Sequence, residues 1–143
     1  MTKKIITSLA ILFTIVFFVS SCKKDAADKK PDEDLAASVA GQYEMNSINY
    51  NGQDINLPSG SISGKVNIAN KDKNMIDMLI SITDSEDSEN NQSSDLEDIQ
   101  LKEENSAIAL YLKTDKIGTI NDDNLIINIT DEQGQELIIK ARK

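Results

Sequence analysis

Apolar and polar residues alternate in short runs from Gly41 to the C-terminus, and turn-forming residues separate the runs. In one run, Ile76, Met78, Ile80 and Ile82 occupy every second position, so an extended backbone would place all four on one face. The strands predicted in this way cover residues 41–50, 53–57, 61–69, 75–83, 96–102, 106–113, 117–120, 125–130 and 135–142.

The spacing of these runs predicts the fold class. Short strands about 8–12 residues apart, with no amphipathic helical stretch between them, are typical of antiparallel barrels and sandwiches. Short turns favour an up-and-down meander, and Asn51-Gly52 is the strongest turn signal because a type I′ hairpin needs two residues with positive φ. Closing the sheet also removes exposed strand edges. We therefore predict an all-β domain over residues 39–143, a small antiparallel up-and-down barrel of about eight strands.

Residues 84–95 form an acidic segment that is rich in Ser and Asn and contains no apolar side chain. Its carboxylates suggest a calcium site, because hard cations take clustered oxygen ligands. The EF-hand spacing, with its central Gly and terminal Glu, is absent. We therefore predict no metal site here, only a solvated loop that is dispensable for folding, since loop-closure entropy depends weakly on length.

The N-terminal part of the chain has the layout of a secretory signal peptide. Lys3 and Lys4 precede an apolar run of about 15 residues, which ends at the small residues Ser20 and Ser21. The run is shorter than the ~20 residues that a transmembrane helix needs. We expect residues 1–21 to be a helical, cleaved signal peptide. Residues 22–38 mix Lys, Asp and Ala without an apolar period, which predicts a disordered tether.

Val19, Ser20, Ser21 and Cys22 resemble the lipobox of bacterial lipoproteins. The resemblance implies cleavage between Ser21 and Cys22, with a diacylglycerol on the Cys22 sulfur. Several acyl chains on one residue would hold the protein firmly to a membrane. The expected location is the cell envelope, at the outer membrane. Lys23-Lys24-Asp25 is similar to part of a surface-export signal, so periplasmic and surface-exposed orientations both stay open.

Composition narrows the partners. The chain has 15 basic and 24 acidic residues, and the loss of Lys3 and Lys4 with the signal peptide makes the remainder more acidic still. Such a balance disfavours nucleic acids and anionic lipid surfaces as partners. After cleavage, sixteen Ile and nine Leu remain against two Val, so the core must be aliphatic. The only remaining aromatic residues are Tyr43, Tyr50 and Tyr111.

The same composition disfavours catalysis. The chain has no His, and its single Cys is the expected lipid attachment site, so Ser-His-Asp and Cys-His schemes are excluded. Zinc sites built on His or Cys are excluded too. Paired carboxylates could serve a glycosidase, but three Tyr offer few platforms for a sugar. We therefore predict no catalytic residue and no cofactor.

The β domain also resembles the short lipocalin-like domains of small bacterial lipoproteins. Gly41-Gln42-Tyr43 opens the first strand where lipocalins carry Gly-x-Trp, and Arg142 closes the last strand where they place a basic residue across that ring. The resemblance implies that Tyr43 and Arg142 meet at one end of the barrel. It also implies an interior that can hold apolar molecules, although a fold does not fix a function.

Two function classes follow. The favoured one is a lipid-anchored interaction module that contacts a protein partner in the envelope or outside the cell. The alternative is a binder of a small apolar ligand inside the barrel, and a carboxylate-based glycosidase is a weaker third. The interior volume distinguishes the first two, because ligand pockets begin at about 300 Å³ whereas small barrels can pack solid.

Overall fold

The predicted alternation is realised as nine strands and one short α-helix in the computed structural model, which describes residues 33–143. A single-turn 3-10 helix, Ser88–Asn90, lies between the fourth and fifth strands. The elements are α1 Leu35–Val39, β1 Gly41–Tyr50, β2 Gln53–Asn56, β3 Ile62–Asp72, β4 Met75–Asp84, β5 Gln92–Glu104, β6 Ala107–Leu112, β7 Asp115–Asn121, β8 Asn124–Thr130 and β9 Glu136–Arg142.

The strands form a closed barrel. Every pairing is antiparallel, β3 to β9 follow one another in sequence order, and β1 pairs with both β3 and β9. Eight strands therefore close an up-and-down barrel, and β2 is an extra strand beside the second half of β1. The fold class predicted from the sequence is confirmed. The Asn51-Gly52 turn joins β1 to β2 with φ values of 49° and 82°, as its residue types predict.

The core is aliphatic, as the composition predicts. Within residues 33–143, every buried side chain is apolar except for the hydroxyl group of one tyrosine. No buried side-chain nitrogen or oxygen in these residues lacks a hydrogen-bond partner. That hydroxyl belongs to Tyr43, which is 1% exposed and donates a hydrogen bond of 2.9 Å to the carbonyl of Val39. The ring therefore ties β1 to the helix that precedes it.

The helix α1 corrects the prediction that a disordered tether continues to residue 38. Asp34 caps the helix by accepting a hydrogen bond from the Ala37 N–H, at 2.9 Å. Ala36 and Val39 are buried, and the Ala36 N–H donates to the carbonyl of Lys73 at 3.0 Å. Five residues are too few to show a helical period in the sequence. Residues 34–143 form one compact unit that supplies its own core.

The acidic segment is also shorter as a loop than predicted. β4 continues through Asp84 and β5 begins at Gln92, so only residues 85–91 connect the two strands. Residues 92–95 pair with residues 79–82 through the backbone, which needs no apolar side chain. The prediction that the whole of 84–95 is a solvated loop is therefore wrong for its two ends.

The predictions for the N-terminus, from the signal peptide to Cys22 and the following lysines, lie outside the described residues. Neither helix between residues 33 and 143 has the length and apolar character that crossing a membrane would require.

Candidate functional site at the barrel mouth

The two ends of the barrel differ. One end is closed by α1, which packs beside the β3–β4 turn and near the β5–β6 and β7–β8 turns. The opposite end, where β4 and β8 finish, contains a cavity of about 290 Å³. We refer to this end as the mouth. The residues that line its cavity are Ile48, Ile80, Ile82, Gln92, Ser93, Ser94, Ile129, Leu137 and Ile139.

Most of the cavity wall is aliphatic, and its polar part comes from one strand. Gln92 is paired with Ile82, and Ser94 with Ile80, in the register of β4 and β5. Directly paired residues project to the same face of a sheet, so Gln92 and Ser94 face inward. No hydrogen bond of either side chain is found within residues 33–143. The cavity therefore offers an apolar surface with an amide and a hydroxyl on one side.

The barrel wall is incomplete at the mouth. β5 pairs with β6 only from Ile99 onward, so residues 92–96 have a strand neighbour on the β4 side alone, and residues 97–98 form a bulge. β8 pairs with β7 only up to Ile127, so residues 128–130 have a neighbour on the β9 side alone. The β6–β7 hairpin turns at residues 113–114 and does not reach between these two edges. We refer to this opening as the gap between β5 and β8.

Apolar side chains continue from the cavity onto the rim. Tyr50 and Ile55 are 46% and 49% exposed, and Ile62 at the start of β3 is 39% exposed. Ile55 is paired with Ile48, a cavity residue, so it extends the same face outward. The Tyr50 hydroxyl donates to the side-chain oxygen of Gln135, just before the neighbouring strand β9. An apolar molecule leaving water would therefore meet apolar surface before it reaches the cavity.

The other cavities of the described region are less suited to an apolar ligand. A groove of about 490 Å³ between β7 and β8 is larger but more open, and Asp115, Lys116 and Asn128 contribute to its walls. A second groove, of about 370 Å³, lies over β3–β5 and includes Asp77, Asp95 and Glu97. A third hollow, of about 230 Å³, lies beside α1 at the opposite end and includes Asp122. All three have charged side chains in their walls. The mouth cavity has no charged residue in its lining.

The structure brings the first and last strands together but gives Tyr43 a different neighbour from the one predicted. Arg142 is exposed and paired with Glu44, next to Ala141, which faces the interior. The cation over the Tyr43 ring is Lys143, whose Nζ lies 5.7 Å from the ring centroid. Burial, and to a smaller extent the carboxylate of Asp123, raises the pKa of the Tyr43 hydroxyl. The contact between Lys143 and Tyr43 lies at the same end of the barrel as α1, opposite the mouth.

The carboxylates of residues 84–91 hold their own loop together. Asp84 accepts hydrogen bonds from the Glu86 and Asp87 N–H groups, and Asp87 accepts one from the Glu89 N–H. The Ser61 hydroxyl and the Glu86 N–H lower the pKa of Asp84 by stabilising its charged form. Across residues 33–143, no three carboxylates are grouped so that they could hold one metal ion.

A second charged cluster lies on the outer surface of β5–β7. The Tyr111 hydroxyl donates to Glu104 at 2.6 Å, and Lys116 donates to the other Glu104 oxygen at 2.7 Å. These bonds, that of Lys116 first, lower the pKa of Glu104. The bond to Glu104 raises the pKa of Tyr111, and Lys102 lies 4.4 Å from its ring centroid. The cluster links three strands and lies away from the mouth cavity.

Sequence reasoning placed no candidate site residue at the mouth. Ile129 and Leu137 were correctly predicted to lie in strands with alternating apolar residues. Alternation along a strand does not show which inward-facing residues lack a neighbouring strand that would bury them. Gln92 and Ser94 were not predicted to lie in a strand because they fall within the acidic segment, residues 84–95. The alternation Gln92, Ser94, Leu96 is the signal that could have extended β5 backward.

The architecture is consistent with the lipocalin-like resemblance, since both are closed antiparallel barrels that enclose space at one end. No protein-family model, no curated protein and no solved structure matches this chain. A functional proposal for this chain therefore has to rest on the geometry of the mouth.

Proposed function

We propose that this chain is a lipid-anchored, non-catalytic protein of the cell envelope whose barrel binds a small apolar group in the mouth cavity. The cavity at the mouth is the observation that carries the proposal. It combines six aliphatic side chains with an opening to solvent, at the one end of the barrel that α1 does not close. The ligand-binding alternative therefore has more support than a solid barrel that acts only through its outer surface.

The cavity volume limits the ligand. About 290 Å³ lies just below the ~300 Å³ at which small-molecule pockets begin. An apolar cavity of about 150 Å³ is large enough for benzene. The part of a ligand inside the cavity is therefore of the size of one or two rings or a short branched chain, and a larger ligand would extend onto the apolar rim of Tyr50, Ile55 and Ile62. Gln92 and Ser94 would orient it by hydrogen bonds to a polar atom at its edge.

The lining also supports a binding role over a catalytic one. It contains neither a carboxylate pair for glycoside hydrolysis nor a base beside Ser94 that could activate the hydroxyl. The membrane attachment in this proposal rests on residues 19–22 of the sequence, through lipid on Cys22. It would keep the barrel at the outer membrane while its mouth collects a ligand.

A dye titration tests the binding proposal. Residues 22–143 with Cys22→Ala would be titrated with N-phenyl-1-naphthylamine, an uncharged dye that fluoresces more strongly in apolar surroundings. Saturable binding is expected, and Ile129→Trp should weaken it about tenfold or more by filling the cavity. Ile126→Trp is the matched control, because Ile126 lies on the same strand but is 43% exposed on the outer face.

Thermal midpoints of both variants would establish that each barrel is folded. Equal dye affinity in the two Trp variants would place the dye elsewhere on the protein. The absence of saturable binding in the parent protein would remove the proposal.

A further inference from the structure

We infer that the apolar group in the mouth cavity belongs to an extended, basic peptide that pairs with the free edge of β5. This inference rests on the proposed function, because it names the partner of the same cavity. It joins three observations: an unpaired strand edge, a gap beside that edge, and acidic side chains along it.

The regular part of the edge is long enough for a short strand to add to it. Residues 92–96 run in register with β4 and would span about 17 Å at the usual rise of a strand, and a bulge at residues 97–98 ends this edge. A strand without a neighbour presents a row of unpaired N–H and C=O groups. Peptide recognition by strand addition uses such a row for affinity and uses adjoining pockets for the alternate side chains. The mouth supplies both features at one place.

The gap between β5 and β8 directs the added strand toward the cavity. A peptide beside β5 would occupy the space that the β6–β7 hairpin leaves empty. Side chains alternate along a strand, so every second residue of the peptide would face inward. Those residues would lie between Gln92 and Ser94 on β5 and Ile129 on β8, the strands that flank the gap. One or two apolar side chains would fit a cavity of about 290 Å³.

The charges on the edge select a basic peptide. Asp95 and Glu97 are exposed, and neither carboxylate has a hydrogen bond or ion pair within the described residues. Asp98 follows them and is bound by Lys71 at 2.7 Å. Lys or Arg at the outward positions of the peptide would face Asp95 and Glu97. A second copy of this chain is disfavoured, because two identical acidic edges would meet.

Competition with the dye tests the inference on residues 22–143 with Cys22→Ala. The probe is a seven-residue peptide that alternates Lys and Leu, blocked at both ends. We expect it to displace N-phenyl-1-naphthylamine and to shift the amide NMR signals of residues 92–96. The same peptide with methyl groups on alternate backbone nitrogens should lose most of this binding, because it keeps the side chains but not the donors.

A charge variant separates the acidic edge from general attraction by the acidic protein. Asp95→Lys should weaken peptide binding about 3- to 10-fold and leave dye binding unchanged. Asp123→Lys is the matched control, since it makes the same charge change near Tyr43 at the opposite end of the barrel. Equal weakening in both variants would show that net charge, and not this edge, attracts the peptide.

Each remaining outcome bears on one of the two proposals. Dye binding without displacement by the peptide would overturn the peptide inference and leave a free small molecule as the ligand. Equal binding of the methylated peptide would overturn strand addition. Self-association in sedimentation that Asp95→Pro abolishes would assign the edge to a second copy. Failure of the dye to bind the parent protein would remove the proposed function first.

Discussion

Lys143, just after the last strand, lies over the ring of Tyr43 in the first strand, with its Nζ 5.7 Å from the ring centroid. The same ammonium donates a hydrogen bond of 2.7 Å to the carbonyl of Ala40, just before β1. The last residue of the chain therefore contacts both the start of the first strand and its buried ring.

This arrangement predicts which cation couples to Tyr43. A double-mutant cycle of Tyr43→Leu with Lys143→Met should give a coupling of about 0.5–1 kcal/mol in urea unfolding, the usual size of a cation–π contact near a surface. The matched cycle with Arg142→Met should give a coupling near zero, because Arg142 lies on the outer face. The reverse result would restore Arg142 as the partner.

The hydrogen bonds of Asp77 predict a loss of stability in acid. The Asp98 N–H, followed by Lys71, lowers the pKa of Asp77. A lowered folded-state pKa stabilises the fold above the unfolded value of about 3.9, and this contribution is lost as pH falls through the folded-state pKa. Asp77→Asn should therefore flatten the decline in unfolding free energy below about pH 4. Glu132→Gln, in an exposed turn, is the control and should leave the decline unchanged.

The loop after β4 should be replaceable only within its true bounds. A Gly-Ser linker in place of residues 85–91 should lower the thermal midpoint by less than about 5 °C, because loop-closure entropy changes little. Replacing 84–95 should lower it by more, because that removes the part of β5 that pairs with β4. Equal midpoints for the two deletions would contradict the assignment of β5. Calcium should raise neither the parent midpoint nor that of the shorter deletion.

Lipid attachment at Cys22 is a prediction from the sequence alone. Metabolic labelling with palmitate should mark the full-length chain and should fail to mark Cys22→Ala. Ser21→Leu is a useful second variant, because a large residue before the cysteine should slow cleavage and cause the unprocessed precursor to accumulate. Equal labelling with and without Cys22 would refute the anchor.

The strands were predictable because each depends on local alternation, which the sequence displays. The first strand, Gly41–Tyr50, has the predicted limits, and its turn has the predicted dihedral angles. That Lys143, and not Arg142, lies over the Tyr43 ring also has a local cause. Ile139 and Ala141 face inward, so strict alternation turns Arg142 outward and leaves the ring to the residue beyond the strand.

The mouth was not predictable in this way, because it results from unequal hairpin lengths on different strands. Ile129 is half-buried and not fully buried because the β6–β7 hairpin, distant in sequence, stops short of it. The pattern along β8 gives no information about that hairpin. Helix α1 was missed for a related reason, since Ala36 is buried by tertiary packing that includes the β3–β4 turn.

The pairing of β1 with β9 has a consequence for how the protein folds. Glu44 and Arg142 must find each other across almost the whole domain, so the closing contacts are among the most distant in sequence. Barrels with such non-local pairings fold in milliseconds to seconds, more slowly than domains built from local contacts. The sheet also cannot close before its last residues have been synthesised. Until β9 is present, β1 and β8 each keep an unpaired edge, so a growing chain stays an open sheet.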